Sequence, residues 1–172
     1  MKISILTIVL LVFFLSAQAG DWEHAPKFSD FPKKISFKGK PAPVRIEGRE
    51  ARMFRSILRD GAKNGPDFAG HYTVVVWGCG ADSFSLAVVN ACDGKVYFPP
   101  FRCITLAGGY DALSIEGKEV DNPAYRQDSH LLIFAGAEDK PSVKPEDRSV
   151  QFWVFRDGRF RLAYSIPAPR QE

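Results

Sequence analysis

The sequence predicts a mainly β, α+β fold, in which a single antiparallel β-meander with blade-like hairpins carries one amphipathic helix. Two Asp-Gly pairs, Asp93-Gly94 and Asp157-Gly158, each lie between runs rich in β-branched and aromatic residues, as hairpin turns do. The chain also contains 14 Phe, 5 Tyr and 3 Trp, which favour pleated, half-buried surfaces. Helical spacing of apolar residues is clear only near residues 49–63.

The first 19 residues have the three parts of an export signal. Lys2 is followed by Ile3–Leu15, an uncharged run of 13 residues, and Ser16–Ala19 provides small residues at the cleavage site. The alternative is a membrane anchor, but a spanning helix needs about 20 apolar residues. We therefore expect cleavage before Gly20 and release into the periplasm or the extracellular space, with no membrane span after cleavage.

Residues 20–172 have a length typical of one domain with a sizeable core. Hydrophobic residues at 45% and charged residues at 25% are ordinary globular values. Because Lys2 is the only charged residue of the signal, cleavage lowers the net charge from +3 to +2. That charge is too small to predict nucleic acid as a partner.

Short extended pieces are expected before the helix. Ile35 and Phe37 alternate with polar residues, and Gly39-Lys40-Pro41 is a turn signal. We interpret Lys34–Lys38 and Pro43–Glu47 as two short strands and as a candidate hairpin.

The predicted helix has one apolar face and one cationic face. At 100° per residue its apolar residues fall within an arc of roughly 140°, with Met53 at the margin: Ala51, Phe54, Ile57, Leu58 and Ala62. Its cations fall within roughly 120° on the other side: Arg49, Arg52, Arg55, Arg59 and Lys63. Asn64-Gly65-Pro66 marks its end.

The remainder, about residues 70–166, reads as the β-meander. We expect His71–Trp77 to be a central strand and Arg159–Ile166 to be a half-buried edge strand. Between them lie the other predicted strands: Phe84–Asn90, Lys95–Phe98, Asp111–Glu116, Leu131–Ala135 and Val150–Phe155.

Three cysteines leave one thiol without a partner in an oxidising compartment. Up-and-down strands place Cys79 and Cys103 at one end of the sheet and Cys92 at the other, on the hairpin tip. A six-residue strand covers about 20 Å, whereas the Cα atoms of a disulfide lie within about 7 Å. A Cys79–Cys103 disulfide is therefore favoured, and the alternatives are pairs that include Cys92.

Several blocks of the chain resemble a family of small exported bacterial proteins of unknown function. They are Gly65-Pro66-Asp67-Phe68-Ala69-Gly70-His71-Tyr72, Trp77-Gly78-Cys79-Gly80 and Asp128-Ser129-His130-Leu131-Leu132, with the basic helix and the Asp-Gly hairpin. In relatives a second Cys often follows four residues after the first, where this chain has Ser83. A local disulfide typical of the family is therefore absent, which favours Cys79–Cys103. The resemblance implies a shared fold and export, and no activity.

The catalytic arrangements that we considered are weakly supported by the sequence. His71 and Cys79 lie eight residues apart on an extended segment, roughly 26 Å at the usual rise per residue, and the three His residues lack metal-ligand spacing. A two-carboxylate hydrolase site from Asp82, Asp111 and Glu116 stays open. The Gly65–Gly70 loop is either a binding loop or a structural turn. We expect no catalytic residue, metal or cofactor.

Two surfaces are the candidate binding sites. The first is the cationic stripe of the helix, including Arg52, Arg55 and Arg59, which suits an anionic partner such as an acidic protein, lipopolysaccharide or a teichoic-type polymer. The second is the loop cluster Trp77–Ser83 with Phe101–Asp111, in which glycine-rich loops carry aromatic and acidic residues. Its candidate residues are Trp77, Asp82, Phe101, Tyr110 and Asp111.

Three function classes follow from these features. A module that binds another envelope protein, in the manner of an inhibitor or immunity protein, fits the small size and the predicted export best. The alternatives are a module that binds an envelope polymer or carbohydrate, and a small hydrolase.

Overall fold

The computed structural model describes residues 22–80, 82–106, 112–115, 117–138, 144 and 147–167. The export signal predicted at residues 1–19 and the candidate binding residues Tyr110 and Asp111 lie outside this set. Within it, the structure is mainly antiparallel β with a few short helices, which confirms the predicted fold class.

The predicted helix is formed as two short helices and a final turn. Helix α1 spans Gly48–Met53, helix α2 spans Arg55–Gly61, and a 3-10 turn follows at Ala62–Asn64. Phe54 separates α1 from α2 with φ −103° and ψ 17°. Its N–H still bonds the Glu50 carbonyl at 3.1 Å, and its carbonyl still accepts the Leu58 N–H at 3.0 Å. The interruption is therefore a local distortion of one helical segment.

The helical segment packs on one face of the sheet through fewer residues than predicted. Leu58 is fully buried, whereas Ile57 is 40% exposed and Phe54 is only partly buried. A Cβ placed on Gly61 would lie 2.6 Å from Val75 Cγ1, so α2 closely approaches the sheet at this glycine. Leu58 fills the contact with the sheet, and the exposure of Ile57 corrects its predicted place in the core. All five predicted cations are exposed, as the pattern requires.

Ten strands lie in the described part of the chain. They are β1 (Tyr72–Gly80), β2 (Ser83–Asn90), β3 (Val96–Tyr97), β4 (Ile104–Thr105), β5 (Ala112–Ile115), β6 (Lys118–Asp121), β7 (Ala124–Tyr125), β8 (Leu131–Glu138), β9 (Ser149–Arg156) and β10 (Arg159–Pro167). The main sheet has the antiparallel order β1-β2-β4-β8-β9-β10, with β3 beside β2 and β7 beside β8. Strands β5 and β6 form a separate pair.

Both Asp-Gly hairpins are formed as predicted, but the first strand does not have its predicted position in the sheet. Strand β1 lies at the edge of the sheet, because its second edge is occupied at the start by the preceding loop. There the Tyr72 N–H bonds the Phe68 carbonyl at 2.9 Å, and the Val74 N–H bonds Asp67 Oδ1 at 2.9 Å. The prediction of a central strand was therefore wrong, whereas β10 is an edge strand, as predicted.

The N-terminal hairpin predicted for Lys34–Lys38 and Pro43–Glu47 is not formed. The segment instead bonds to the turn after β2, where the Ala42 N–H meets the Ala91 carbonyl and the Arg45 N–H meets the Gly94 carbonyl, both at 2.8 Å. This contact is so close that a Cβ on Gly94 would overlap the Pro43 carbonyl.

Strand β8 is buried on both faces, which explains why its sequence is a continuous apolar run. Leu132 and Phe134 belong to the cluster that β8 shares with β1, β2 and β9. Leu131, Ile133 and Ala135 belong to a second cluster with β5, β9 and β10. The helical segment covers a third cluster, on the other face of β1 and β2.

Cys79 and Cys103 form a disulfide, with their Cα atoms 6.4 Å apart, and Cys92 is free and exposed. Strand β3 pairs with Val88 and Val89, at the far end of β2, and β4 pairs with Ser83 and Phe84. The chain thus returns along β2 from the hairpin tip to the end of the sheet that holds Cys79. The predicted pairing, and the reasoning from strand direction behind it, are confirmed.

Candidate functional site

A groove of about 1100 Å³ lies between α1, the end of β1 and the segment that precedes β4. We call it the helix–disulfide groove. It is lined by Arg49, Glu50, Met53, Phe54, Trp77, Gly78, Cys79, Ser85, Pro99, Pro100, Phe101, Arg102 and Cys103. The groove therefore combines parts of two surfaces that were predicted as separate binding sites, the cationic helix and the loops around the disulfide.

The wall made by Pro99–Cys103 is held in place by covalent and aromatic contacts. Phe101 inserts into the core, with its ring centroid 5.0 Å from that of Phe134 and 5.4 Å from that of Trp153. The disulfide ties the end of this segment to β1, whose register with β2 shifts between Gly78 and Gly80. The two prolines restrict the backbone between β3 and these anchors, so the wall is well fixed.

The floor of the groove is aromatic but largely buried. The rings of Phe54 and Trp77 lie 4.6 Å apart between centroids, and Trp77 is 8% exposed. Phe101 is 4% exposed. Both Trp77 and Phe101 were expected on an adaptable loop surface, and that expectation was wrong, because their rings pack in the hydrophobic core. What the groove offers a ligand is the remaining ring edges and the exposed side chain of Met53.

Two guanidinium groups line the groove. Arg49 comes from α1 and Arg102 from the segment before β4, and both side chains are exposed. No ion pair joins either one to another described residue. Glu50 is the acidic side chain in the lining. The geometry thus presents cations beside an apolar floor.

The predicted arginine stripe continues from this groove along the helical segment. Arg52 and Arg59 are exposed and make no ion pair within the described ranges. Arg55 donates to the Arg52 carbonyl at 3.2 Å, and Lys63 pairs with Asp60 at 2.7 Å. Of the stripe, only Arg49 reaches the groove, so the two surfaces meet at that residue.

The remaining candidate residues do not assemble into a catalytic centre among the described residues. Asp82 lies in the turn between β1 and β2 with φ +50°, where its carbonyl accepts the Leu106 N–H at 2.7 Å. Of the three carboxylates of the hydrolase hypothesis, Asp111 and Glu116 lie outside the described part. No group of three His, Cys, Asp or Glu side chains suited to a metal is found in that part either.

Met53, Ser85 and Arg102 are groove residues that the sequence interpretation missed. Met53 was placed at the margin of the buried arc, whereas it is exposed at the groove. Ser85 lies opposite Trp77 in β2 and so reaches the same face. The available signal for Arg102 was its position next to Cys103, since the disulfide fixes where that segment lies.

The Gly65–Gly70 loop is a structural junction. The Gly70 N–H bonds the Gln127 carbonyl at 2.7 Å and the Ala69 N–H approaches the Ser129 carbonyl at 3.2 Å. A Cβ on Gly70 would lie 2.8 Å from the Lys34 carbonyl oxygen. The loop and the Asp128–Leu132 block, which carry the sequence resemblance, are therefore in direct contact, and they also hold the N-terminal segment.

Burial shifts the pKa values of three polar side chains at this junction, Asp67, His71 and His130. Burial raises the pKa of Asp67 to about 6, against the hydrogen bonds that it accepts from the Val74 N–H and the Tyr125 hydroxyl. Burial also lowers the pKa of His71 and of His130, whose Nδ1 lies 2.8 Å from the Phe155 carbonyl oxygen. None of these side chains lines the helix–disulfide groove.

Comparisons of the chain with protein-family models, with curated proteins and with solved structures find no match. In the described residues, no helix has the length and apolar character needed to cross a membrane.

Proposed function

We propose that this protein is an exported binding module whose helix–disulfide groove holds an acidic, extended segment of another envelope protein, in the manner of an inhibitor or immunity protein. Two features support export. The first 19 residues have the parts of a signal peptide, and disulfides such as Cys79–Cys103 form and persist in oxidising compartments.

The observation that carries the proposed binding site is the pair Arg49 and Arg102 beside an apolar floor. A guanidinium binds a carboxylate through two parallel hydrogen bonds. Because neither arginine has an acidic partner among the described residues, both are available to a ligand. The partner segment therefore carries Asp or Glu side chains.

The apolar part of the groove adds a second requirement for the partner. Met53 is 57% exposed, and its unbranched thioether side chain adapts to different apolar shapes. We expect an apolar side chain of the partner to contact Met53 in this groove. Since the disulfide and the Phe101 anchor hold the wall in place, binding loses little conformational entropy in this protein.

Site-specific photocrosslinking tests this proposal in cells that express the full chain. A photoreactive residue replaces Met53, and Ile35, which is 51% exposed and lies elsewhere, provides the matched control position. We expect a discrete protein adduct from position 53 only, with the crosslinked peptide of the partner rich in Asp and Glu.

Charge reversal provides the second arm of the experiment. Arg49→Glu with Arg102→Glu should reduce the adduct at least 10-fold, whereas Lys38→Glu with Lys40→Glu makes the same charge change at exposed residues elsewhere and should leave it intact. Equal adducts from positions 53 and 35, or an adduct that is insensitive to the first charge reversal, would contradict the proposal.

An anionic envelope polymer is the second candidate partner, and the exposed Arg52 and Arg59 favour it, because they extend the cationic surface beyond the groove. A repeating polyanion would contact the whole stripe. Binding of lipopolysaccharide or a teichoic-type polymer should then fall with added salt and be weakened by Arg52→Glu with Arg59→Glu. If Arg49→Glu with Arg102→Glu removes the protein adduct while polymer binding shows neither the salt dependence nor the sensitivity to Arg52→Glu with Arg59→Glu, the acidic protein is favoured.

A further inference from the structure

A second groove, of about 570 Å³, lies on the β9–β10 hairpin beside the N-terminal segment. We call it the hairpin groove. It is lined by Phe31, Val154, Arg156, Asp157, Arg159, Arg161, Leu162 and Ala163. None of these residues lines the helix–disulfide groove.

Three arginines share one face of this hairpin. Arg156 and Arg159 are directly opposite each other in the β9–β10 register, and Arg161 is opposite Val154. Because side chains alternate between the two faces of a strand, residues 154, 156, 159 and 161 project to the same side. All three guanidinium groups belong to exposed residues.

This arrangement is unfavourable without a ligand. Like charges directly opposite each other on a strand pair destabilise the pair. Asp157 is the acidic residue of the lining, and it occupies the turn with φ +52°. In the described ranges no ion pair relieves the three arginines. An anion bound between them would offset the repulsion.

The floor of the hairpin groove is apolar. Phe31 and Val154 are partly buried there, and Val154 is opposite Arg161 on the face that carries the arginines. A ligand in the groove therefore meets a hydrocarbon surface and positive charge together.

We propose that the hairpin groove binds an amphiphilic anion, which is a single carboxylate or phosphate group carried on a hydrocarbon chain. The head group accepts hydrogen bonds from the arginines, whose planar donors match both carboxylate and phosphate. The hydrocarbon lies on Phe31 and Val154. The volume is in the range of small-molecule sites, roughly 300–1,000 Å³.

Calorimetric titration of the mature chain with four probes below their micelle concentrations tests this site. Dodecyl phosphate and dodecanoate have both required parts, inorganic phosphate lacks the hydrocarbon, and dodecylphosphocholine lacks the net negative charge. At least one of the first two should bind 10-fold or more tightly than either of the last two, and the tighter of the pair identifies the head group. Failure of both, or equal binding of inorganic phosphate or dodecylphosphocholine, overturns the proposal.

Variants locate the binding. Arg159→Glu with Arg161→Glu should weaken the preferred probe at least 10-fold, and the near-isosteric Val154→Thr should weaken it several-fold. Lys38→Glu with Lys40→Glu makes the same charge change at exposed residues outside both grooves and should have no effect. If the first pair disturbs folding, Arg159→Gln with Arg161→Gln replaces it with the same expected direction. If the lysine pair weakens binding as much as the hairpin pair does, the proposed site is overturned.

Discussion

The ring of Phe54 lies 4.6 Å from the ring of Trp77 between centroids, with the two planes inclined by 35°. This pair joins the helical segment to β1 where the helix–disulfide groove has its floor. It thereby sets the separation between α1 and the sheet, and with it the position of Arg49. Packing of the helical segment is therefore a condition for the proposed binding site.

The helix orientation predicts unequal effects for two adjacent apolar residues. Leu58→Ala should cost about 2–5 kcal/mol because it leaves a cavity beneath the segment. Ile57→Ala should cost less than about 1 kcal/mol, since that side chain is 40% exposed. Urea unfolding of the two variants measures both values. A larger cost for Ile57→Ala would contradict the burial of Leu58 and the exposure of Ile57 in the structure.

The disulfide predicts selective chemistry of the three cysteines. Thiol labelling of the folded, oxidised protein should modify Cys92 alone. Cys79→Ala with Cys103→Ala should destabilise the protein by about 3 kcal/mol on the chain-entropy account of a loop of this size. Cys92→Ser, the matched control at an exposed position, should change stability by less than about 0.5 kcal/mol. Labelling of Cys79 or Cys103 in the oxidised protein would argue against the bridge.

Substituting two glycines that have the same backbone conformation distinguishes the cost of conformational strain from the cost of steric overlap. Gly94 and Gly117 both have φ +73°, but only Gly94 faces a backbone atom, the Pro43 carbonyl. Gly117→Ala should lower the free energy of unfolding by about 1–2 kcal/mol, because alanine is strained in the left-handed conformation. Gly94→Ala should cost a further 1–3 kcal/mol or so, because the chain must move to admit the methyl group. Equal unfolding free energies for the two variants would mean that the Pro43 contact is not formed.

Asp67 predicts a decline of stability with rising pH. Its pKa is about 6 in the folded protein and 3.8 ordinarily, so the folded state binds this proton more tightly than the unfolded state. The resulting stabilisation is complete below about pH 4 and is lost as the pH rises through about 6. Asp67→Asn keeps an acceptor for the Val74 N–H and removes the titration. The unfolding free energy of the native protein should fall relative to that of Asp67→Asn as the pH rises from 4 to 7, and parallel curves would refute the shift.

Local sequence features predicted much of the sheet. Asp157-Gly158 forms its turn with φ +52° and +71°, a conformation that Asp and Gly tolerate. Strands β3, β4 and β7 have two residues each, too few for β4 and β7 to be recognised from alternation. The edge position of β1 depends on bonds from the preceding loop, which no pattern within the strand reveals.

The candidate site was predictable only in part. The sequence indicated both the basic helix and the loops near Cys79, but that Arg49 and Arg102 line one groove depends on tertiary packing and on the disulfide. Trp77 and Phe101 were interpreted as exposed because glycine-rich segments flank them. Their burial follows from partners distant in sequence, such as Phe54 and Phe134.

The hydroxyl of Ser129 donates to the carbonyl of Phe28 at 2.9 Å across 101 positions of sequence. The N–H groups of Lys33 and His130 reinforce this junction through the carbonyls of Asp128 and Phe31, each at 2.8 Å. During synthesis, the segment around Phe28 and Phe31 therefore cannot form these bonds until residues 128–130 are made. Contacts of such high sequence separation slow folding, so the native state forms late and from the nearly complete chain.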